Sequence, residues 1–432
     1  MKTKIRHLAL LVAGCLAPVM ASATNGYFAH GYGIKAKGMA GVGIALPQDG
    51  LAAATNPAGI AFLGNRVDLG VEIFSPLRSS TISGNSGIPP YMIPSLDGSY
   101  SGTNEDRNSF LVPEFGYNRM LNPNLALGLA VYGNGGMNTS YARSPFMMLG
   151  GSSPAGVDLS QLFIAPTVAY KFNPNHSLGV SLNLAYQRFS AKGLEPFAAF
   201  GFSSAADKVS NVGSDSSAGW GVRVGWTGQV SDALTMGATY QSKTQMGKFD
   251  KYAGLFAEQG SFDIPANYGI GAAFKASPRL TLAADVQRIE YGGIASIANP
   301  VANLFRPDGS GMLGGSNGAG FGWRDMTVFK LGVAWKQNDQ VTFRAGYSTG
   351  RQPIPAGETF FNILAPGVIE QHLTLGMTWQ AGGGKEISAY YMHAFSKNVN
   401  GSNSIPQMQM GGGEANLRMH QNALGFALGW RI

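Results

Sequence analysis

The feature that most constrains this sequence is a two-residue alternation of apolar with small or polar residues, repeated in short segments from residue 66 onward. In one segment, Leu424, Phe426, Leu428 and Trp430 share one phase, while glycine, alanine and arginine occupy the other. Successive side chains of a β-strand point to opposite faces, so the pattern predicts strands with one apolar face. Large apolar residues at every second position are typical of barrel strands, which turn that face to lipid.

Fourteen segments follow this pattern, and they predict an all-β fold, a transmembrane 14-stranded antiparallel β-barrel. The predicted strands are 66–74, 110–118, 125–133, 162–172, 178–187, 220–228, 234–241, 268–274, 280–287, 327–336, 341–347, 373–380, 386–393 and 424–432. Six short connections rich in Asn, Pro, Ser and Gly alternate with seven long loops. This asymmetry is typical of outer-membrane barrels, whose periplasmic turns are short and whose extracellular loops are long.

The composition excludes a soluble protein and a helical membrane protein. Only 13% of the 432 residues are charged, whereas a soluble protein carries about 25%. After residue 23, no apolar run approaches the roughly 20 residues that a membrane-spanning helix needs. The periplasmic ends of alternate strands carry aromatic residues in the outward phase, as an interfacial girdle requires. These seven residues are Tyr117, Tyr170, Trp226, Phe274, Trp335, Trp379 and Trp430.

The N terminus predicts export. Three basic residues precede the apolar stretch 8–19, and Ala21-Ser22-Ala23 is a small-residue cleavage site, so residues 1–23 are predicted to be a signal peptide. An alternative is lipidation of Cys15, the only cysteine. Three domains follow: the signal peptide 1–23, a segment 24–64, and the barrel 65–432. The predicted location is the bacterial outer membrane, and the basic charge gives no reason to expect a nucleic-acid partner.

Residues 24–64 are rich in Gly and Ala and are too few to form a core of their own, so they are predicted to fold inside the lumen as a hatch. Five motifs of the chain are distinctive: Asn25-Gly26-Tyr27-Phe28, Lys37-Gly38-Met39-Ala40-Gly41, Asn56-Pro57-Ala58-Gly59, Thr342-Phe343-Arg344-Ala345-Gly346 and Tyr391-Met392-His393. Together they resemble the FadL-type outer-membrane transporters. The resemblance implies uptake of long-chain fatty acids or of hydrocarbons such as toluene. It also implies a hatch motif at Asn56, Pro57 and Ala58, and a kinked third strand, matched by Gly136, that opens the barrel wall.

Two loops carry apolar clusters that are out of place in water and predict binding. The candidates are Leu194, Phe197, Phe200 and Phe202 in one loop, and Phe249, Tyr252, Leu255 and Phe256 in another. Tyr252, Leu255 and Phe256 have helical spacing. The resemblance implies that these loops form a hydrophobic capture groove. The alternative is that the loops only pack on each other.

Three cations, Arg223, Lys330 and Arg344, fall in the inward phase of their strands. A fatty-acid carboxylate in the lumen would need such a cation, because burying an unpaired charge is costly. The alternative is that they pair with the inward acids Asp68, Glu72, Glu114 and Asp285, or with the hatch. Arg188 and Arg288 lie in the outward phase near the extracellular rim, where they are expected to meet lipopolysaccharide phosphates.

The sequence therefore predicts a monomeric outer-membrane channel for passive uptake of hydrophobic compounds, with long-chain fatty acids as the expected ligand. Uptake of aromatic hydrocarbons is the first alternative, and a general porin is the second. A third is a lipid hydrolase using Ser348, which lies in a G-x-S-x-G sequence. That sequence ends a predicted strand without a following helix, and the six histidines are scattered, so no catalytic residue, metal or cofactor is expected.

Overall fold

The computed structural model describes residues 24–88, 93–103 and 108–432. The predicted signal peptide, with Cys15, lies outside the described residues. Fourteen strands, numbered here β1 to β14, build the barrel. Their bounds are Arg66–Ser83, Phe110–Asn122, Leu125–Asn138, Gly156–Asn173, His176–Lys192, Asp215–Gln229, Leu234–Gln241, Asn267–Ser277, Leu280–Ile289, Met326–Lys336, Val341–Gly350, Gln371–Gly382, Lys385–Val399 and Glu414–Arg431. Among these residues, no helix has the length and apolar character to cross a membrane.

Each strand pairs antiparallel with its neighbours in sequence, and β14 pairs with β1 from Arg66↔Arg431 to Ser83↔Glu414. This last pairing closes the sheet, so the predicted 14-stranded barrel is confirmed. Two short strands add to its extracellular side: Gly98–Ser101 pairs with β1, and Gln245–Met246 pairs with β6. Helices in the described residues are short, three to six residues each, and lie in the N-terminal segment and the loops. They are Ile34–Lys37, Gly50–Ala54, Pro57–Phe62, Met147–Leu149, Glu195–Ala199, Ala206–Lys208, Asp250–Tyr252, Ala257–Gly260, Tyr291–Gly293, Ala295–Ala298, Val301–Phe305, Ala356–Glu358, Phe361–Ile363 and Gln407–Met410.

The outer surface of the barrel carries an apolar belt. Alternate residues of the strands, such as Leu178, Val180, Leu182 and Leu184 of β5, are exposed, while the residues between them are buried. Of the seven predicted girdle aromatics, Tyr170, Phe274, Trp335 and Trp379 are exposed, and Tyr117, Trp226 and Trp430 are half-buried. An exposed apolar belt ending in aromatic residues is what lipid requires of this surface.

Several strands extend beyond their predicted extracellular ends. Strand β14 begins at Glu414 instead of residue 424, and β1 runs to Ser83 instead of residue 74. In the added part of β14, the buried inward positions include Leu417 and Met419, whereas Arg418 faces outward. The alternation is thus reversed where the strand leaves the membrane, because water now lies outside and packed loops lie inside. The predicted strands end too early because the lipid-facing alternation used to find them ends at this reversal.

Residues 24–64, the N-terminal segment, bond to inward-facing side chains of strands all around the barrel. Gly50 N donates to Asp68 of β1 (2.7 Å), and Gly43 N donates to Asp285 of β9 (2.8 Å). Ala58 O accepts a bond from Ser177 of β5 (2.8 Å). Because these strands are spread around the circumference of a closed sheet, a segment that touches all of them crosses the lumen.

Candidate functional site

The first part of the site is a buried network of charges between the N-terminal segment and the wall. Lys37 Nζ lies 2.7 Å from Glu72 Oε2 of β1 and 3.4 Å from Glu114 Oε2 of β2. Glu114 also accepts the backbone N–H of Ile34 (2.9 Å). Nearby, Lys35 pairs with Glu386 of β13. Each charge therefore has a partner, which buried ions need to offset their lost hydration.

The predicted hatch motif fixes the other end of this segment. The Asn56 side chain donates to Ile44 O (2.7 Å) and to Trp226 O of β6 (2.9 Å), and it accepts the N–H of Ala58 (3.1 Å). Pro57 starts the 3₁₀ turn Pro57–Phe62. A Cβ at Gly225 of β6 would lie 2.0 Å from Asn56 Oδ1, so only glycine permits this close approach.

The three inward cations all bond to oxygen atoms of the N-terminal segment. Arg223 Nη1 donates to Thr55 O (2.9 Å), and Lys330 Nζ donates to His30 O (2.9 Å). Arg344 Nε donates to Gln48 Oε1 (2.8 Å). A carboxylate could bind any of them only by competing with these bonds.

The loops enclose an apolar cavity at the extracellular end. Four of the predicted loop residues, Leu194, Phe197, Leu255 and Phe256, line it together, although they come from two loops. The other apolar lining residues are Val157, Phe189, Leu313, Ala319, Gly320, Phe321, Phe361 and Leu364. Among the lining residues that the structure describes, Ser296 alone has a polar side chain, and its Oγ donates to Ser261 O (2.6 Å).

The remaining predicted loop residues lie outside this lining. Phe249 and Tyr252 are buried behind it and pack on Phe189, with ring centroids 5.7 and 4.7 Å away. Phe202 packs on Phe305 (5.7 Å). Phe200 is 42% exposed. The structure thus brings together six of the eight residues and leaves these two phenylalanines at the periphery.

Polar anchors hold the loops around the cavity. The Tyr252 hydroxyl donates to Gly213 O (2.6 Å) and accepts the N–H of Ala191 (2.9 Å), and burial raises its pKa above the ordinary value. Glu195 accepts hydrogen bonds from Ser152 and Asn211. Partial burial opposes ionisation of Glu195, but the hydrogen bonds outweigh it, so its pKa lies below the ordinary value.

The cavity is small, at about 40 Å³. An apolar cavity of about 150 Å³ is known to accommodate benzene. A ligand of that size must therefore displace part of the lining as it enters.

The wall of the barrel is irregular at β3. Among the described residues, the pairing of β2 with β3 ends at Phe115 and Val131, although β3 continues to Asn138. The register of β3 against β4 shifts between Gly133 and Gly135, next to Gly136. The N-terminal segment takes the place of β2 here, since Gly136 N donates to Tyr27 O (2.9 Å) and Ala29 N donates to Asn134 O (2.9 Å).

A second cavity, of about 20 Å³, adjoins this irregularity. It is lined by Phe74, Pro76 and Arg78 of β1 and by Gly136, Met137 and Asn138 of β3. Gly26, Trp323, Met419 and the loop residues Ala365, Pro366 and Gly367 complete the lining. The guanidinium carbon of Arg78 lies 5.9 Å from the Phe110 ring centroid.

Sequence reasoning missed several lining residues of both cavities, among them Phe321, Phe361, Trp323 and Arg78. Phe361 could have been found, because Phe360-Phe361 is an aromatic pair inside a long loop, the same criterion that selected Phe197 and Phe256. Arg78 could not, because it lies beyond the part of β1 that the alternation predicted.

Ser348 and His372 are cross-strand neighbours, and Ser348 Oγ lies 3.0 Å from His372 Nδ1. Both are buried. A serine nucleophile requires a base that a further group orients. His372 Nε2 has no hydrogen-bond partner among the described residues, and its ring stacks on His30 instead. Within residues 24–88, 93–103 and 108–432, no cluster of three His, Cys, Asp or Glu could hold a metal ion.

Comparison with known proteins agrees with this architecture. Residues 16–432 match the family model described as outer membrane protein transport protein (OMPP1/FadL/TodX). The Pseudomonas putida toluene transporter TodX superposes with a TM-score of 0.67 at 18% identity, over 93% of this chain and 99% of its own. A Pseudomonas aeruginosa FadL homologue gives 0.69 at 18% identity, over 94% and 99%. The Ralstonia pickettii toluene transporter TbuX gives 0.64 at 17% identity, over 93% and 99%.

No curated protein sequence matches the chain significantly. At these identities the solved structures show the fold, and the family model shows the relationship. The chain therefore belongs to the FadL/TodX family of outer-membrane proteins, which are transport channels for hydrophobic compounds and not enzymes.

Proposed function

We propose that this protein takes up uncharged hydrophobic small molecules passively, by capture in the loop cavity and release through the barrel wall. The observation that carries the proposal is the loop cavity, whose lining is apolar except for Ser296. An apolar pocket favours ligands with little polar surface, because a carboxylate buried there would remain unpaired. Aromatic hydrocarbons are the substrate class that fits this lining best.

Long-chain fatty acids are the second candidate. The sequence favoured them because of the inward cations, but Arg223, Lys330 and Arg344 are bonded to the N-terminal segment. Arg78 is also hydrogen-bonded, since its Nη1 donates to Pro76 O (3.3 Å). What supports a carboxylate ligand is its position, because Arg78 lines the cavity beside β3 together with Phe74 and Met137. A fatty acid would pair its carboxylate with Arg78 and pack its acyl chain on Phe74 and Met137.

The proposed route begins at the extracellular loops and ends beside β3. The N-terminal segment acts as a hatch that separates the loop cavity from the periplasm, and its many bonds to the wall support that role. Where β2 leaves β3, Tyr27 and Ala29 cover the free edge of β3 by two backbone hydrogen bonds. Breaking the two bonds to β3 costs about 1–3 kcal/mol, and the bond of Tyr27 N to the Tyr291 hydroxyl (3.2 Å) adds to this cost. Ligand binding must offset that sum to displace this stretch and open a lateral path into the membrane.

We further propose that residues 1–23 are removed on export and that the channel works as a monomer. The apolar belt supports the second point, since exposed apolar residues occur on strands around the whole barrel, such as Leu178, Ile270, Leu375 and Phe426. Such a circumference is suited to lipid on every side.

The test compares toluene-dependent and oleate-dependent growth of a strain that lacks its own transporter. We expect the protein to restore growth on toluene and the variant Ala319→Leu, which fills the loop cavity, to weaken that growth. If oleate alone is used and Arg78→Gln removes that use, the fatty-acid candidate replaces the first. Large, steady single-channel currents through the unmodified protein would indicate a general porin and refute both.

A further inference from the structure

A depression of about 730 Å³ lies on the outside of the barrel, at the extracellular ends of β9, β10 and β11. Arg288 of β9, Thr327 of β10 and Thr349 of β11 line it, and all three continue the outward-facing rows of their strands. The next outward residues toward the periplasm are Val286 and Phe329, which belong to the apolar belt. The depression therefore sits where the lipid-facing surface gives way to water.

Three arginines contribute to this site. Arg288 is held in place, since it donates to Asp325 Oδ2 (2.9 Å) and to Thr327 Oγ1 (3.0 Å). Arg324 and Arg351 are exposed, and neither side chain makes a hydrogen bond or ion pair with a described residue. Their two loops are joined, because Arg324 N donates to Pro353 O (2.9 Å).

The acidic residues of the depression are already occupied. Asp325 pairs with Arg288, and Glu370 pairs with Lys397 (2.6 Å). The lining thus has two cations in excess, presented from adjacent loops. Glu358, outside the lining, makes no bond to Arg324 and attracts it only through space, because its carboxylate accepts the N–H of Val301 (2.9 Å). Guanidinium groups bind phosphate oxygens in bidentate fashion, so this excess is complementary to a phosphorylated group.

The base of the depression is apolar. Phe329 lines it and is 53% exposed. A ligand that satisfies both parts carries phosphate beside a hydrocarbon chain, which a free phosphate ion does not. We propose that this site binds a phosphorylated lipid of the outer leaflet, the lipid A part of lipopolysaccharide. Its phosphates contact Arg324 and Arg351, and an acyl chain packs on Phe329.

The site differs from the expectation that Arg188 and Arg288 are the residues that meet lipopolysaccharide phosphates at the rim. Arg288 was anticipated from its outward phase, but Arg188 of β5 bonds to Ser214 Oγ (2.6 Å) and lies on another part of the wall. Arg324 and Arg351 come from loops that the sequence did not place together. The inference is independent of the proposed transport function, because the depression opens outward and not into the lumen.

The test measures binding of purified protein in detergent to bisphosphorylated lipid A, to the same lipid after removal of its phosphates, and to inorganic phosphate. The variant is Arg324→Gln/Arg351→Gln. The matched control is Arg119→Gln/Arg279→Gln, which removes the same charge from exposed residues at the periplasmic end. We expect the first variant to bind lipid A about tenfold more weakly, as the loss of two exposed charge pairs implies, and the control to bind like the unmodified protein.

Three results would overturn the proposal: equal binding by the arginine variant, equal loss in the control, or equal binding of the phosphate-free lipid. Competition by inorganic phosphate at the concentration of lipid A would also overturn it, since the acyl chain would then contribute nothing. Hydrophobic-ligand uptake by the arginine variant should match that of the unmodified protein. This readout shows that the variant is folded and separates failure of this site from failure of the transport proposal.

Discussion

The buried pairing of Lys37 leads to the sharpest prediction. Lys37, on the short helix Ile34–Lys37, is shared by Glu72 (2.7 Å) and Glu114 (3.4 Å), and all three side chains are nearly inaccessible to water. Replacing Lys37 by methionine keeps its length and removes its charge. Two carboxylates are then left buried without a cation, and the N-terminal segment loses its tie to β1 and β2.

The magnitude follows from what each carboxylate retains. Removing one partner of a buried ion pair costs about 3–5 kcal/mol. Glu114 keeps the N–H of Ile34 (2.9 Å), and Glu72 keeps the hydroxyl of Tyr390, so we expect the lower end, about 3 kcal/mol. Because about 1.4 kcal/mol corresponds to a factor of ten, the ratio of released to docked segment should rise about 100-fold.

Two measurements report this ratio. Amide hydrogen exchange of residues 34–44 should accelerate about 100-fold, in line with the expected loss of about 3 kcal/mol, and channel openings in a planar bilayer should become more frequent. The control is Lys336→Met, whose ion pair with Asp339 (2.7 Å) is exposed; such pairs contribute at most about 1 kcal/mol. Adding Glu72→Gln to Lys37→Met should restore protection in part, because it removes one unpaired charge. Exchange in Lys37→Met that equals the unmodified protein would refute the reasoning.

Three further predictions concern the cavity, the wall and the cations. Ala319→Leu should weaken capture of toluene by filling the loop cavity, whereas Ala298→Leu, a half-exposed position outside its lining, should leave uptake assays unchanged. Gly135→Val would place a Cβ 1.8 Å from Tyr27 O, so hydrogen exchange should show the Gly136 amide losing protection while the rest of β3 keeps it. Arg223→Gln removes the bond to Thr55 O and should alter oleate and toluene uptake equally; a selective loss for oleate would instead identify Arg223 as a carboxylate ligand.

The barrel could be predicted because its signal is local. A strand with one face toward lipid carries a large apolar residue at every second position, as Leu424, Phe426 and Leu428 show. Each strand carries this signal independently, so the fourteen segments could be counted and ordered without knowing any contact. The same logic failed above the membrane, where Leu417 and Met419 point inward and the alternation is reversed.

The sites depended on contacts between distant residues. Leu194 and Leu255 were recognised as apolar loop residues, but nothing local indicated that they share a cavity with Phe361. Similarly, the inward phase of Lys330 was evident, whereas its bond to His30 O joins residues 300 positions apart. Loops lack a regular repeat, so their mutual packing is decided by shape and by the closure of the sheet that brings their ends together.

The sequence alone determined the environment of each strand face, with lipid outside and a filled lumen inside. It could do so because the periodicity and polarity of the side chains depend directly on that environment. Which partners fill that lumen, which loop aromatics meet, and which arginines converge on the outer rim were decided only by the closed barrel. The physical reason is that hydrophobic burial is non-directional and only selects a face, whereas hydrogen bonds and ion pairs need atoms within about 3 Å, a distance that the tertiary structure alone sets.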